Sequence, residues 1–215
     1  MNYPVIILGA GGHAKVLIDA LRLQSVALLG VTDADSSRAG QLLFGVPIIG
    51  GDEEITKYST EVIRLVNGLG SVRVNPQRRH LFECFKSKGY QFASVVHPSA
   101  VIAADSVLSE GVQIMAGAII QAGCHIGVNT VINTGSIVDH DCHIGDHAHI
   151  SPGVTLSGGV WIGEGAHVGT GAKVIQGVKI GLNSLVAAGA VVIRDVENGA
   201  TVAGVPAKIC STEPC

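Results

Sequence analysis

Two stretches of the chain carry residue types and spacings that suit chemistry. The first is Asp139-His140-Asp141-Cys142-His143-Ile144-Gly145-Asp146-His147-Ala148-His149, with four histidines among three aspartates. Imidazole titrates near neutrality, and a carboxylate beside it fixes the tautomer and raises its basicity, which suits general acid–base work. Asp141 is placed to do this for His140, and Asp139 is the weaker candidate. The second stretch, Gly9-Ala10-Gly11-Gly12-His13-Ala14, fits G-x-G-x-x-A. Asp33 follows about twenty residues on, the offset at which an acid meets a ribose hydroxyl. Glycines let a backbone approach a phosphate, and the free N–H groups of a helix start attract it. His13 would stand at that anion site, and Asp33 could accept bonds from a base or a ribose.

The elements that must position these groups differ between the two halves of the chain. In the first half, VIILG reads as a buried strand, GAGGHA as a tight turn and AKVLIDALRLQ as an amphipathic helix. VALLGVTD is a second strand ending at Asp33. Further on come a strand around Val62–Val66, an NGLG turn and a helix over Arg78–Lys88. Strands alternating with helices imply a small Rossmann-like parallel α/β sheet. A stretch of that size holds half of a dinucleotide fold, so a nucleotide or nucleotide-sugar outranks NAD as its ligand.

The second half repeats every six residues. Val, Ile or Leu stands at 96, 102, 108 and every sixth position up to 192, and the residue four further on is small each time, from Ala100 to Val196. Short strands joined by tight turns, three hexads to a coil, bring residues 18 apart above one another. Parallel strands lie about 4.8 Å apart, so nearly six coils stack to a prism of roughly 27 Å. Hexapeptide prisms of this kind coil left-handed, against the usual hand of parallel crossovers. In this frame Cys124 and Cys142 are stacked interior thiols. His143 and His149 share the position before an interior aliphatic, whereas His140 and His147 face elsewhere, which argues against a metal. Gly158 lies directly above His140 and is expected to leave room for a ligand beside the imidazole.

Composition follows this division. Of the 215 residues 47% are hydrophobic, 4% aromatic and 14% charged, and 29 are glycine. Charge this low excludes a disordered chain, and no apolar run is long enough for a membrane span. A net charge of −3 gives no nucleic-acid surface. Five cysteines without CxxC spacing indicate neither a disulfide framework nor zinc. The N-terminus lacks the basic and small-residue marks of a signal peptide, so a cytoplasmic protein is expected. The expected domains are 1–94, a nucleotide-sugar-binding unit; 95–197, the β-helix; and 198–215, a C-terminal segment. Within that segment GVPAK would fold back along the prism, and STEPC at 211–215 would be mobile.

Taken together, GAGGHAKV, HPSA at 97–100, NTGSIVDHDCHIG at 133–145 and GVPAK at 204–208 give a resemblance across essentially the whole chain. The chain resembles the left-handed β-helix (hexapeptide repeat) sugar acetyltransferases, the group of bacillosamine and perosamine N-acetyltransferases and sialic acid O-acetyltransferases. The resemblance implies homotrimers with sites between neighbouring prisms and acetyl-CoA as co-substrate. It implies that His140 is the general base, that Asp141 increases its basicity, and that His149, Gly158, Thr170 and Ala188 contact the cofactor. Gly11, Gly12, His13, Asp33, Ala34 and Gly70 match the nucleotide-sugar pocket. Around Gly70 the chain reads VNGLGSV, where relatives often carry an amide-rich turn. The expected reaction is direct acetyl transfer to the amine of a nucleotide-linked 4-amino sugar. The alternatives are O-acetylation of a sialic acid, a non-catalytic nucleotide-binding module, and an NAD-dependent oxidoreductase.

Overall fold

The structure, a computed structural model, describes residues 3–71, 74 and 76–211. The chain divides into two compact units, one of residues 1–70 and 77–98, the other of 71–76 and 99–215. In the first unit the elements run β1 (Val5–Leu8), α1 (Gly12–Leu23), β2 (Leu28–Thr32), β3 (Leu42–Leu43), β4 (Val46–Gly50), β5 (Arg64–Asn67) and α2 (Pro76–Ser87). Strand order is β3-β4-β2-β1-β5. β1 pairs parallel to β2 and β5, and β2 pairs parallel to β4. All four residues of β1 are buried, as expected of a central parallel strand covered on both faces. Helix α1 buries Ala14, Leu17, Ile18 and Leu21, the i, i+3, i+4, i+7 stripe of a helix laid on a sheet.

One element differs from the sequence expectation. Leu42–Leu43 and Val46–Gly50 form an antiparallel hairpin that extends the sheet. Gly45, at φ +73°, makes its turn, and Ile48 next to Pro47 carries the cross-strand bonds, donating to the Gln41 carbonyl at 2.8 Å and accepting from the Gly40 N–H at 2.9 Å. Seven of the eight aromatic residues lie in this unit. Phe82 packs on Phe92 at 4.3 Å between ring centres, and Phe85 meets Tyr90 edge-on at 5.6 Å.

In the second unit, sixteen two-residue strands run from Val101–Ile102 to Val191–Val192 at six-residue spacing. They form three rows of parallel strands, and the register across each row is constant: Ile119 opposite Ile137, His125 opposite His143, Val131 opposite His149. Every interior aliphatic from Ile114 to Val192 is at most 2% exposed, and the small residues from Val112 to Val196 are at most 7% exposed. This is the left-handed parallel β-helix that the hexads imply. Cys124 and Cys142 are buried as stacked thiols, and burial pushes the Cys142 thiol up to about 12. Such a thiol stays protonated and unreactive.

The final coil is shorter than the others. Leu185 pairs with Thr201 rather than with a residue 18 further on, and Lys208–Ser211 returns antiparallel to Thr201–Ala203. Residues 198–211 group with the second unit and close its end. Val95 and Val96 group with the first unit, where the Gln24 side chain donates to the Val96 carbonyl at 2.9 Å. Residues 212–215, at the end expected to be mobile, lie outside the described residues.

Two kinds of glycine hold the coils. Gly171 is a turn residue at φ +69° with open space around it, whereas a Cβ on Gly163 would lie 2.6 Å from the Leu182 backbone nitrogen. Gly171→Ala is expected to cost about 1–2 kcal/mol, the penalty of a left-handed backbone at a non-glycine residue. Gly163→Ala must push two coils apart and should lower the melting temperature considerably more, as thermal unfolding followed by circular dichroism would show.

Candidate functional site

The turn 139–142 joins the strands Ile137–Val138 and His143–Ile144 at one corner of the β-helix. Neighbouring coils grip its backbone from both sides. The Asp141 N–H donates to the Ala122 carbonyl at 2.9 Å, and the Gly159 N–H donates to the His140 carbonyl at 2.8 Å. On this fixed turn, His140 Nδ1 lies 2.8 Å from Asp141 Oδ2, and the His140 N–H donates to Asp139 Oδ1 at 2.8 Å. The Asp141 bond sets the tautomer: Nδ1 carries the hydrogen and Nε2 keeps its lone pair. Both side chains are open to solvent, at 54% and 72% exposure. The Asp141 hydrogen bond, aided by the charge of Asp139, raises the His140 pKa above its ordinary value.

Asp141 is one of few non-glycine residues with a left-handed backbone, at φ +57°. The equivalent turn position is glycine in most coils. Space on both sides is also made by glycine. A Cβ on Gly123 would fall 2.5 Å from Asp141 Oδ1, and one on Gly158 would fall 2.5 Å from both Cε1 and Nε2 of His140. The room above Gly158, expected to be left for a ligand, is taken by the imidazole itself.

His149, Thr170 and Ala188 stand elsewhere. They line a cavity of about 390 Å³, with Asn133, Ser151 and His167 among the other walls. Thr170 and Ala188 are one coil apart in the turns that follow His167–Val168 and Leu185–Val186. His149 and His167 are buried and stacked at 4.9 Å between ring centres. His167 Nε2 lies 3.1 Å from Ser151 Oγ and Nδ1 lies 3.2 Å from Ser71 Oγ. Burial pushes the His167 pKa down to about 4, so the ring is neutral at physiological pH. The expected cofactor residues thus divide between two corners of one prism, Gly158 with His140 at the first and the other three at the second.

In the first unit, Gly11 is the N-cap of α1 and makes no side-chain cap, and Gly11 and Gly12 have open space where a side chain would stand. Gly70 packs on His13, with a Cβ there 3.3 Å from His13 Cβ. Asp33, at the end of β2, has both oxygens engaged: Oδ1 accepts from the Asp35 N–H at 2.9 Å, and Oδ2 pairs with Arg38. Ala34 beside it is exposed. Arg38 also reaches toward the Ala10 carbonyl at 3.4 Å, so it joins Asp33 to the glycine turn.

Sequence reasoning missed Arg38, Arg78, Ser151 and His167. Arg78 is 4% exposed and donates to the carbonyls of Asn67 and Leu69 at 2.9 and 2.7 Å, holding the turn that presents Gly70. No local pattern marks that role. His167 carried a legible signal, since it lies one coil from His149 at the same place in the hexad. Of the remaining histidines, His143 stacks on Trp161 at 3.9 Å and on His125 at 5.8 Å, along an outer face. Among the described residues no three His, Cys, Asp or Glu side chains are grouped as a metal site requires.

Comparisons with known proteins cover the same ground. Residues 4–85 match the family described as the PglD N-terminal domain. Over 118 residues the chain is 41% identical to UDP-N-acetylbacillosamine N-acetyltransferase of Bacillus subtilis, a stretch covering 52% of this chain and 51% of that enzyme. The chain thus matches about half the length of this curated relative. Among solved structures, a variant of perosamine N-acetyltransferase from Caulobacter crescentus, with one histidine replaced by asparagine, holds CoA and GDP-perosamine. It superposes with a TM-score of 0.91 and 41% identity over 97% of both chains. The acetyltransferase domain of PglB from Neisseria gonorrhoeae, in complex with acetyl coenzyme A, gives 0.89 and 33% identity over 97% of this chain and 100% of that one.

The buried neutral His167 has a consequence for stability. Its folded pKa lies below the ordinary 6.5, so between about pH 6.5 and 4 the unfolded chain binds more protons, and stability falls as pH falls. The full shift corresponds to roughly 3 kcal/mol lost by pH 4. The melting temperature of His167→Gln should therefore decline less steeply than that of the parent protein across this window.

Proposed function

This chain belongs to the hexapeptide-repeat sugar N-acetyltransferases, and from that premise we propose that it moves the acetyl group of acetyl-CoA onto the amine of a nucleotide-linked amino sugar. The observation that carries this reading is the His140–Asp141 pair, a solvent-open imidazole with its tautomer set and its basicity raised, in a chain matched along 97% of its length by a perosamine N-acetyltransferase. His140 Nε2 takes a proton from the amine as its nitrogen attacks the thioester carbonyl. The tetrahedral intermediate collapses to the amide and CoA thiolate, which recovers the proton from the imidazolium. Asp141 stabilises that imidazolium. The oxyanion is met by backbone N–H groups, since no Arg or Lys lies near the motif in sequence.

The first unit takes the nucleotide sugar at Gly11, Gly12, His13, Asp33, Ala34 and Gly70. The helix start with its open glycines receives the diphosphate. The second unit takes acetyl-CoA through His149, Thr170 and Ala188, with Gly158 at the base. The acting form is a homotrimer. What supports it is that His140 and the His149–Thr170–Ala188 cavity stand at different corners of one prism, so a symmetric neighbour is needed to bring a base to a cofactor. In this reading residues 1–94 bind the nucleotide sugar, residues 95–197 carry the acetyl transfer, and 198–215 is the C-terminal segment that follows. The compartment proposed for this chain is the cytoplasm; among the described residues no helix is long and apolar enough to cross a membrane.

The test follows release of free CoA thiol from acetyl-CoA with GDP- and UDP-linked amino sugars, and with sialic acid as the competing acceptor. Turnover with an amino sugar and none with sialic acid is expected; the reverse outcome would make the protein an O-acetyltransferase. His140→Ala should lower turnover by about 10²–10⁴, the usual worth of a general base, with the oligomer unchanged by sedimentation. The base must be neutral to act, so kcat/KM should rise with pH through an inflection above the ordinary histidine value. Asp141→Asn should move that inflection downward. Unchanged turnover in His140→Ala overturns the assignment of the base.

A further inference from the structure

His167 and Ser151 lie outside the residues assigned above, yet both line the cavity that holds His149. The two histidines occupy the same place in successive coils, on strands that pair in register, which stacks their rings at 24° between planes. His149 stands on a two-residue strand, and its imidazole needs something to fix the plane of its ring. Asn133 Nδ2 reaches its Nε2 at the edge, at 3.5 Å, and His167, which covers its face, is itself fixed. His167 has a hydroxyl at each ring nitrogen, Ser151 Oγ at Nε2 and Ser71 Oγ at Nδ1. A neutral imidazole offers one donor and one acceptor, so these two contacts engage its whole hydrogen-bonding capacity. His167 therefore has no lone pair left to accept a proton from a substrate. Its chemistry is that of a fixed platform and not of an acid or base.

We propose that Ser151 and His167 are positioning residues for the acetyl-CoA cavity, holding the ring of His149 in the plane that meets the cofactor. This rests on the reading of that cavity as the acetyl-CoA site. It predicts a split in the kinetics: losing an interaction that serves cofactor binding alone raises the KM for acetyl-CoA and leaves kcat in place. If the imidazole merely filled space, replacing it would lower the folded fraction, and with it kcat, without moving KM.

The experiment compares the full-length parent protein with His167→Phe, which keeps a stacking ring and removes both hydrogen bonds, and with Ser151→Ala, a smaller change that covers the case where the first variant fails to fold. Acetyl-CoA affinity is measured by titration calorimetry, and steady-state kinetics are run in both substrates. A roughly tenfold weakening of acetyl-CoA binding is expected, the worth of about one well-made hydrogen bond. The KM for the nucleotide sugar and kcat should stay within about twofold. Parent-like acetyl-CoA affinity in either folded variant overturns the positioning role while leaving the acetyltransferase reading intact. A parent protein that binds no acetyl-CoA overturns both.

Discussion

The constraint on which the second unit depends is the hydrogen bonding of one coil to the next. Two-residue strands are too short to be stable as isolated pairs, and here each has a partner strand at a constant offset along the chain. The Val131 N–H donates to the Ala148 carbonyl at 3.0 Å, the His149 N–H to Ala166 at 2.9 Å, and the His167 N–H to Ser184 at 2.9 Å. Bonds of the opposite sense, such as Gly153 to the Thr134 carbonyl at 3.0 Å, tie each turn to the turn one coil back. No residue can be inserted without breaking this offset for everything stacked on it. Side chains one coil apart are consequently held in contact by the backbone, whatever their own affinity for one another.

That rule lets a repetitive scaffold carry chemistry at single positions. The turn residue that must be left-handed is glycine in most coils, and aspartate at 141 departs from the pattern with the residue type that tolerates the conformation best after glycine and asparagine. The departure costs backbone strain, and the carboxylate gains a location that the coils above and below cannot shift. Its neighbours on both sides have lost their side chains, Gly123 to make room for the carboxylate and Gly158 to make room for the imidazole. A substitution at either glycine would therefore reach the His140–Asp141 pair without touching its members. The same rule sets His149 on His167.

Much of this was legible in the residues. The hexads specified the β-helix because interior position, small position and turn position each recur without a slip. His140 and Asp141 stood out because a histidine and a carboxylate were adjacent in a turn of known direction. The glycine run before α1 was legible because its glycines meet a helix start. The hairpin of β3 and β4 was not, since Gly45 and Pro47 interrupt a short apolar stretch that has neither a helical nor an alternating period. Arg38 and Arg78 were invisible for another reason. Their roles are contacts to Asp33 and to backbone carbonyls at Asn67 and Leu69, which depend on how loops close and not on any local pattern. At Gly158 the register position shows only that a side chain is missing; whether a neighbour or a ligand fills the space depends on rotamers, and here the His140 ring fills it.

The two corners of the prism make different demands on their histidines, and exposure accounts for the difference. His140 is more than half exposed and hydrogen-bonded to a carboxylate, so its charged form is favoured and its lone pair faces solvent. His167 is buried between hydroxyls, so its neutral form is favoured and both nitrogens are occupied. The first environment yields a base that exchanges protons, and the second a ring that cannot. Both side chains emerge from the same repeating backbone. What separates them is whether the adjacent hydrogen-bonding group carries a negative charge and whether water reaches the ring. A scaffold with fixed coil spacing can therefore assign opposite duties to the same residue type by changing the neighbour and the burial of the ring, aspartate beside the exposed His140 and serine facing the buried His167, without any change in fold.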